Sequence, residues 1–396
     1  TPPGFDADQR NQPHGFCADL DIMDTWATSS LTPQIATRWA EDDRLFRKIF
    51  PMDLRPQGHD IIRTWLFYTA LRSLQQDGRA PWRNAALSGF VLDPDRKKMS
   101  KSKGNVVTPL PLLERHGADA VRYWAACGRP GTDTAADEGQ MKVGRRLAIK
   151  IANASKFVLS IIGLEAPTGQ QTPVALDLSM LEGLERTLDS ATSALEEFDY
   201  TRALDVIEHS FWDFCDNYLE IVKVRAYGNS EAPNSTEHSG ISSARAALVV
   251  ALSAYQRAFA PFLPYVSAET WSWWNESSVH RAPWPSGEEL RLSYLQFLQG
   301  DPSIVQAPTT LFHNESSLYP LARDVISEIR RSKTEAKRSM KTAVERVVFR
   351  ADEETLRSFG HVQSDLAAAG VVSSFVLEHS DERGIEVTLE APSPEV

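Results

Sequence analysis

The chain has 396 residues, 42% of them apolar, which suits two or three hydrophobic cores better than one. Its net charge of −11 excludes a protein that coats nucleic acid over its whole surface, although a local basic face remains compatible. The three cysteines (Cys17, Cys127 and Cys215) are far apart, so neither a disulfide framework nor a zinc site is predicted. No segment has the pattern of a membrane span or a signal peptide, and we expect a protein of the reducing cytoplasm.

The first predicted region, residues 1–137, alternates short apolar runs with a helix. Residues 49–56 and 85–92 are typical of buried strands, and residues 61–75 between them are typical of a helix. Strand, helix and strand together predict a parallel sheet with a right-handed crossover. Ligands of such sheets bind beyond the carboxyl ends of the strands, so the segments that follow the two strands are candidate sites.

Two further regions follow. Residues 138–285 are predicted to form an all-α bundle, because an apolar stripe with helical spacing opens the region and further helical patterns follow it. The stripe consists of Val143, Leu147, Ile151, Ala154, Val158 and Ile161. Residues 286–396 are predicted to form a linker and a small α+β module: a helix over about 321–343, then short strands and a second helix.

The segment after the second strand, Asp93 to Asn105, reads DPDRKKMSKSKGN. It sets five cations against two acids and adds hydroxyl groups and a glycine, a composition suited to binding polyphosphate. Lysines facing a leaving pyrophosphate would stabilise the charge that develops in the transition state. On composition alone, a solvated basic loop is the competing interpretation.

Four other residues are candidates for a small-molecule site. Trp26 and Trp65 could form flat apolar walls that measure the size of an aliphatic substrate, although each could equally be a core residue. Gly58 and Asp60 follow the first strand, where a glycine allows close approach and a carboxylate can accept ribose hydroxyls. The alternative for this pair is a plain turn in which Asp60 caps a helix.

The strongest basic pattern lies at residues 141–156, which hold five cations and no acid. Lys142, Arg146 and Lys150 are spaced by four and are predicted to share a helix face that could contact backbone phosphates. A solvated helix face is the alternative. The helix over 321–346 is also rich in Lys and Arg, and for it we expect a weak, salt-sensitive RNA contact through Arg330, Arg331 and Lys337.

Several blocks of the sequence match a known family. Lys98-Met99-Ser100-Lys101-Ser102 is identical to the KMSKS signature of class I aminoacyl-tRNA synthetases. The blocks DTWATSS (residues 24–30), RPQGHDIIRTW (55–65), SGFVLD (88–93), GNVV (104–107) and DAVRY (119–123) resemble those of the valyl enzymes, in the same order. The resemblance covers about residues 17–285, and the last hundred residues resemble only some members.

The resemblance implies a fold and a reaction. The fold is a partial Rossmann-type α/β domain followed by an all-α anticodon-binding bundle and a small α+β module. The reaction is that of a valine–tRNA ligase, which activates valine with ATP and transfers it to tRNA-Val. ATP with Mg²⁺ is then a substrate, no tightly bound cofactor or resident metal is expected, and a monomer is expected.

The resemblance also assigns roles to individual residues. Lys98 and Lys101 would be catalytic, and Trp26 and Trp65 would border the amino acid. Lys142, Arg146 and Lys150 would contact tRNA. ATP would be bound by the strand ends and the loop, at Gly58, Asp60, Val91, Leu92, Lys98, Met99, Ser100, Lys101 and Ser102.

One signature of the family is missing. The class I fold carries a His-x-Gly-His string that acts with the lysine loop on the α-phosphate, and the 396 residues contain none. We therefore expect a C-terminal portion that cannot form an aminoacyl-adenylate by itself. The alternative is a stand-alone tRNA-binding or assembly protein derived from a synthetase. A third possibility, the isoleucyl or leucyl enzyme, is disfavoured by the block around Trp26.

Overall fold

The fold is described from a computed structural model. Excluding the side chains of residues 101 and 235–239, it describes residues 1–22, 24–163, 171–228, 235–304, 306 and 317–391. The chain forms two compact units, residues 1–106 with 129–136 and residues 107–128 with 137–396. The segment 107–128 thus belongs with the helical unit, whereas the sequence places it before a boundary at residue 137. The predicted boundaries at 137 and 285 stay predictions.

The first unit holds the predicted strand–helix–strand arrangement. Its helices and strands are α1 (Thr25–Ser29), α2 (Thr32–Ala36), α3 (Asp43–Ile49), β1 (Met52–Gly58), α4 (Phe67–Asp77), β2 (Trp82–Ser88), β3 (Val91–Leu92) and β4 (Thr134–Ala135). β1 and β2 are parallel and in register from Met52 opposite Trp82 to Gly58 opposite Ser88, with α4 as the crossover. The expected parallel pair is therefore confirmed.

The strand predicted over residues 85–92 is interrupted. β2 ends at Ser88, and the chain continues into the separate short strand β3, which pairs in parallel with β4. Gly89 lies at the break, where a Cβ atom would meet the backbone of Thr132 at 2.2 Å. Only glycine permits that approach. At Gly89 the chain therefore passes from the sheet of β1 and β2 to the sheet of β3 and β4, and the single predicted strand is divided into two.

The second unit is mainly helical. Its elements are α5 (Pro109–His116), α6 (Ala118–Ala126), α7 (Glu138–Ile162), α8 (Ala175–Glu196), α9 (Tyr200–Asp213), α10 (Leu219–Tyr227), α11 (Ser235–Phe259), α12 (Pro264–Ser272), α13 (Gly287–Gln299), α14 (Leu318–Glu335), β5 (Val344–Ala351), α15 (Glu353–Phe359), α16 (Gln363–Gly370), β6 (Phe375–His379) and β7 (Gly384–Leu389). Among the described helices, none has both the length and the apolar content that crossing a bilayer requires.

α7 follows its sequence pattern closely. Asp137 caps its first turn, accepting a hydrogen bond from the Gly139 N–H at 2.7 Å, an interaction that is typically worth about 1 kcal/mol. The predicted stripe from Leu147 to Ile161 is buried in the bundle, and Val143 packs against the same core. The periodicity of the apolar residues therefore fixes which face of α7 is left for solvent.

The contact between α6 and α7 depends on Gly144. A Cβ atom at this position would lie 2.6 Å from Cβ of Tyr123. We expect Gly144→Ala to lower the free energy of unfolding by about 1–3 kcal/mol, because a packed interface cannot absorb the extra methyl group. Urea denaturation followed by circular dichroism measures the loss.

Gly183 in α8 is the matched control for Gly144. Its added Cβ would find its nearest atom, Nη2 of Arg186, at 3.9 Å. Gly183→Ala should therefore stabilise the protein by about 0.5–1 kcal/mol through helix propensity alone. Equal shifts for the two variants would contradict close packing at Gly144.

The last strands form a small mixed sheet with the order β6-β5-β7. β5 pairs in parallel with β6 and antiparallel with β7, so these last two strands flank β5 and do not pair with each other. α14 supplies Val325, Ile326 and Ile329 to the core below the sheet. The predicted α+β module is confirmed, although its second predicted helix is two helices, α15 and α16.

A buried ionic cluster ties this sheet module to the bundle. Arg225 of α10 donates to both carboxylate oxygens of Asp177 in α8, at 2.7 and 2.8 Å. It also donates to Asp365 of α16 at 3.0 Å and to the carbonyl of Gly240 at 2.8 Å. Asp177 is fully buried and also accepts hydrogen bonds from Ser243 and Tyr218. One guanidinium thus compensates two carboxylates from different helices.

Candidate functional site

The turn after β1 is fastened to the end of β2. His59 Nδ1 lies 3.1 Å from the carbonyl oxygen of Ser88, and the Ser88 hydroxyl donates to the carbonyl of Gln57 at 3.2 Å. A Cβ atom on Gly58 would lie 2.6 Å from Oδ1 of Asp60, so the glycine makes room for that carboxylate. Asp60 is exposed inside a short 3₁₀ turn and is not its N-cap, which removes the alternative of a capping role.

The lysine loop is held at its base by two polar residues. Asp93 accepts hydrogen bonds from the backbone N–H of Lys97 at 2.7 Å and from the Asn105 amide at 2.8 Å. The Asn105 carbonyl oxygen accepts from the backbone N–H of Ser100 at 3.0 Å, and its amide also reaches the Lys98 carbonyl at 3.2 Å. We call this pair the loop clamp. The backbone N–H of Lys97 and the amide of Asn105 lower the pKa of Asp93, which keeps the carboxylate charged.

The first lysine of the signature rests on an aromatic ring. Nζ of Lys98 lies 3.8 Å from the ring centroid of Phe90, a cation–π distance. The same ring meets His59 edge-on at 4.5 Å. Phe90 therefore lies between the turn after β1 and the lysine loop, and brings these two candidate segments together.

The rest of the loop carries two neighbouring hydroxyl groups and a short turn. Ser100 and Ser102 have hydroxyl oxygens 3.3 Å apart, and Lys101–Lys103 form a 3₁₀ turn. The side chain of Lys101 lies outside the described part of the chain. Val91 is half-exposed in β3, whereas the carbonyl of Leu92 accepts the backbone N–H of Ala136 at 3.0 Å. Their predicted backbone contacts to adenine stay predictions.

The two candidate tryptophans differ in exposure. Trp65 is buried, with the Arg55 guanidinium 4.1 Å above its ring and the Trp82 ring stacked at 5.5 Å. Its Nε1 donates to the carbonyl of Ser29 at 3.0 Å. Trp26 is only partly buried, on α1, where Asp24 caps the helix through the Trp26 backbone N–H. Trp65 is therefore a core residue of the first unit, and Trp26 is the more accessible of the two.

Matches to known proteins cover both units. Residues 7–137 match the family described as tRNA synthetases class I (I, L, M and V), and residues 177–348 match the anticodon-binding domain of tRNA ligase. The valine–tRNA ligase of Salinispora arenicola is 54% identical over 94% of the chain. That of Thermobifida fusca is 52% identical over 98% of the chain. The chain belongs to the class I tRNA synthetases. It spans about two fifths of the length of these curated relatives, 43% and 41% respectively.

Solved structures of synthetases share the fold. LeuRS of Agrobacterium radiobacter K84, in a ternary complex, aligns with a TM-score of 0.54 at 20% identity and covers 88% of this chain and 40% of its own. Methionyl-tRNA synthetase of Mycobacterium tuberculosis aligns with a TM-score of 0.52 at 20% identity, covering 72% and 54%. The predicted fold class of this synthetase chain is confirmed: a partial Rossmann-type domain, a helical anticodon-binding domain and a small α+β module.

The basic face of this synthetase's α7 is only partly as predicted. Lys142 and Arg146 are exposed. Lys150 instead pairs with Asp216 at 2.7 Å and lies 5.4 Å from the Trp212 ring centroid. In α14, Arg330 donates to the carbonyl of Asp216 and to Asn217. The Asp216 carboxylate offsets the charge of Lys150, whereas the partners of Arg330 are neutral and only hold its side chain in place. The roles of these cations stay predictions.

Sequence reasoning missed the residues that support the site. Asp93 and Asn105 flank the signature, and Phe90 precedes it, yet none of the three was a candidate. A clue was available, because a carboxylate acceptor, Asp93, and an amide donor, Asn105, stand at the two ends of one loop. Gln57 was also missed; it is buried, and its side-chain oxygen has no partner among the described residues.

Proposed function

We propose that the protein is a valine–tRNA ligase, which activates valine with ATP and transfers it to tRNA-Val. The observation that carries the proposal is the lysine loop, Lys98–Ser102, which follows β3 and is held by the loop clamp. Relatives named valine–tRNA ligase, 54% and 52% identical along most of the chain, support it.

The proposed chemistry has two steps. In the first, the valine carboxylate attacks the α-phosphorus of ATP, and pyrophosphate leaves as valyl-adenylate forms. Lys98 and Lys101 stabilise the charge that builds on the leaving group. In the second, a ribose hydroxyl of tRNA attacks the acyl carbon and AMP leaves. Mg²⁺ enters with ATP as part of the substrate, and we propose no tightly bound cofactor.

The proposed binding roles are those that the resemblance to the family implies. Gly58 and Asp60 hold the ribose, Val91 and Leu92 meet the adenine, and the loop from Met99 to Ser102 closes on the phosphates. Trp26, with Trp65 behind it, limits the size of the amino-acid side chain. Lys142 and Arg146 contact tRNA phosphates, with Lys150 released from Asp216 when RNA is bound. We further propose a cytoplasmic monomer; its three free cysteines suit a reducing compartment.

Binding of adenylate analogues by the 396-residue chain tests this function. Valyl-sulfamoyl-adenosine should bind, measured by calorimetry, and its isoleucyl counterpart should bind about tenfold or more weakly because the pocket limits side-chain size. Asp60→Asn should weaken the valyl analogue, whereas Asp53→Asn, an exposed carboxylate at the other end of β1, should not. Equal affinity for the two analogues would contradict valine specificity.

The alternative function is a stand-alone tRNA-binding or assembly protein. The exposed cations of α7 favour it as much as they favour the ligase. The two functions predict different results in one pair of assays. A ligase chain binds both tRNA-Val and the valyl analogue, whereas a stand-alone RNA-binding protein binds tRNA and ignores the analogue at every concentration.

A further inference from the structure

A shallow groove of about 410 Å³ opens between the start of α6, the middle of α7 and the start of α12. Small residues form its floor: Gly117, Ala118, Ala148 and Ala152. Two large apolar side chains flank it and remain exposed, Tyr265 at 65% and Ile149 at 51%. We call it the Tyr265 groove. An exposed aromatic ring beside an exposed aliphatic side chain can bind a flat ligand by stacking and apolar contact.

The backbone under the ring is fixed. Asp119 of α6 is buried, and its carboxylate accepts the backbone N–H groups of Tyr265 and Val266 at 3.1 and 2.7 Å. Arg122, one turn further along α6, donates to the carbonyls of Pro261 and Phe262 just before α12. The ring is therefore presented by a rigid helix start and not by a loose loop, which lowers the entropy lost when a ligand stacks on it.

Cations follow α7 beside the groove, and one of them, Arg145, lines it. Lys142, Arg145 and Lys156 share the helix face that carries Ile149 and Ala152, because they are spaced by three, four or whole turns from these residues. Fourteen residues separate Lys142 from Lys156, about 21 Å along the axis, or the length of roughly six stacked nucleotides. The sequence has no acid between residues 139 and 163.

Two cations near this groove, Arg145 and Lys156, are not neutralised by a carboxylate among the described residues. Lys156 makes no ion pair with any residue in the described part of the chain, and Arg145 donates only to the carbonyl of Arg115, at 3.0 Å. This is the reverse of Lys150, which is paired with Asp216. The acid-free basic face of α7 beside this groove, on a chain whose net charge is −11, is complementary to a nucleic acid strand. Asp119, which also lines the groove, is buried and accepts two backbone N–H groups.

We infer that the Tyr265 groove takes an unpaired nucleobase of the bound tRNA, stacked between Tyr265 and Ile149, while Lys142, Arg145 and Lys156 contact the flanking phosphates. The inference rests on the proposed function, from which the RNA partner comes. A flat base fills a shallow groove with small residues at its floor, and every base has a face that stacks on tyrosine. A folded protein partner would leave the row of cations without a counterpart.

The test is the affinity of the 396-residue chain for a tRNA-Val transcript at low salt. Tyr265→Ser should weaken binding about tenfold or more through lost stacking, and Tyr265→Phe should bind within about twofold of the parent. Tyr227→Ser, an exposed tyrosine on α10, is the matched control and should have no effect. Tyr265→Leu, which keeps apolar bulk without an aromatic face, should behave like the serine variant.

Salt dependence separates stacking from phosphate contact. Arg145→Gln and Lys156→Gln should each reduce the slope of log affinity against log salt by about 0.7–0.9, whereas Tyr265→Ser should leave the slope unchanged. Three results would overturn the inference that the groove binds a nucleobase. They are unchanged tRNA affinity of Tyr265→Ser, full tRNA affinity of Tyr265→Leu, and a loss of affinity in Tyr227→Ser equal to that in Tyr265→Ser. A parent chain that does not bind tRNA would instead overturn the proposed tRNA-binding function. Loss of a dimer in Tyr265→Ser with unchanged tRNA affinity would assign the groove to a second copy and overturn the inference.

Discussion

Replacing Arg225 by alanine is expected to lower the free energy of unfolding by about 3–5 kcal/mol, because the substitution leaves two buried carboxylates without a counter-charge. Asp177 has no exposed surface, and the Asp365 side chain is 8% exposed. Neither carboxylate is therefore free to be solvated in the folded protein. Urea denaturation of the variant and the parent, followed by circular dichroism, measures the difference.

Arg350→Ala is the matched control for this loss. Arg350 also pairs with two carboxylates, Glu378 and Glu386, but on the open face of the small sheet, where all three side chains are well exposed. Water replaces the lost partner there, so the change in stability should be small. Equal losses for Arg225→Ala and Arg350→Ala would contradict the importance of burial.

The effect of Arg225→Ala should also depend on pH. Burial raises the pKa of Asp365 above its usual value, and Arg225 opposes that rise. Without Arg225 the folded-state pKa rises further above the unfolded value. Such a group favours folding below its unfolded pKa, and that contribution is lost as the pH rises through its folded pKa. The deficit of the variant should therefore be largest at neutral pH and shrink towards pH 4.

Exchanging the two residues of the loop clamp is expected to restore what either single change removes. In Asp93→Asn, an amide N–H₂ group can face the amide of Asn105, and in Asn105→Asp two carboxylates meet at about the observed 2.8 Å. Each single variant should bind ATP about tenfold or more weakly, since one lost hydrogen bond to a charged group is worth about 1.5–3 kcal/mol. The double variant again pairs a donor with an acceptor and should recover most of the affinity.

Hydrogen exchange reports on the clamp without a nucleotide. The backbone N–H groups of Lys97 and Ser100 donate to the clamp, so they should exchange faster in both single variants and slower again in the double variant. Asp95→Asn is the control, because Asp95 is exposed in the same loop and only 3.9 Å from Lys97 Nζ. If Asp95→Asn accelerated exchange as much as Asp93→Asn, the loss of loop charge would explain the effect. If a single variant exchanged faster but kept its ATP affinity, the clamp would order the loop without contributing to nucleotide binding, and the predicted loss of affinity would be wrong.

Local patterns predicted the elements well, and long-range contacts account for what they missed. The stripe from Leu147 to Ile161 and the strand–helix–strand unit depend on neighbours a few residues apart, and both are present. By contrast, the ion pair of Lys150 with Asp216 could not be predicted from residue spacing, because the two residues are 66 positions apart. The break at Gly89 likewise depends on Thr132, which no periodicity in residues 85–92 could reveal.

In the candidate site, too, the local sequence pattern was predictable and the long-range contacts were not. The signature Lys98–Ser102 is legible in the sequence, since it is a contiguous string. The support of Lys98 by Phe90, and the covering of Trp65 by Arg55 and Trp82, need the folded chain. A sequence can therefore nominate residues that act on a ligand more readily than the residues that hold them in place.

The ring of Phe90 under Lys98 has a consequence for selectivity among anions. An exposed cation on an aromatic face gains about 0.5–1 kcal/mol, and Lys98 forgoes that gain whenever it leaves the ring. A weakly charged anion returns little for this cost, whereas a triphosphate returns more through several oxygens at once. We therefore expect the contact of Lys98 with Phe90 to weaken the binding of a single phosphate by a factor of about two to five, and to matter less for a polyphosphate.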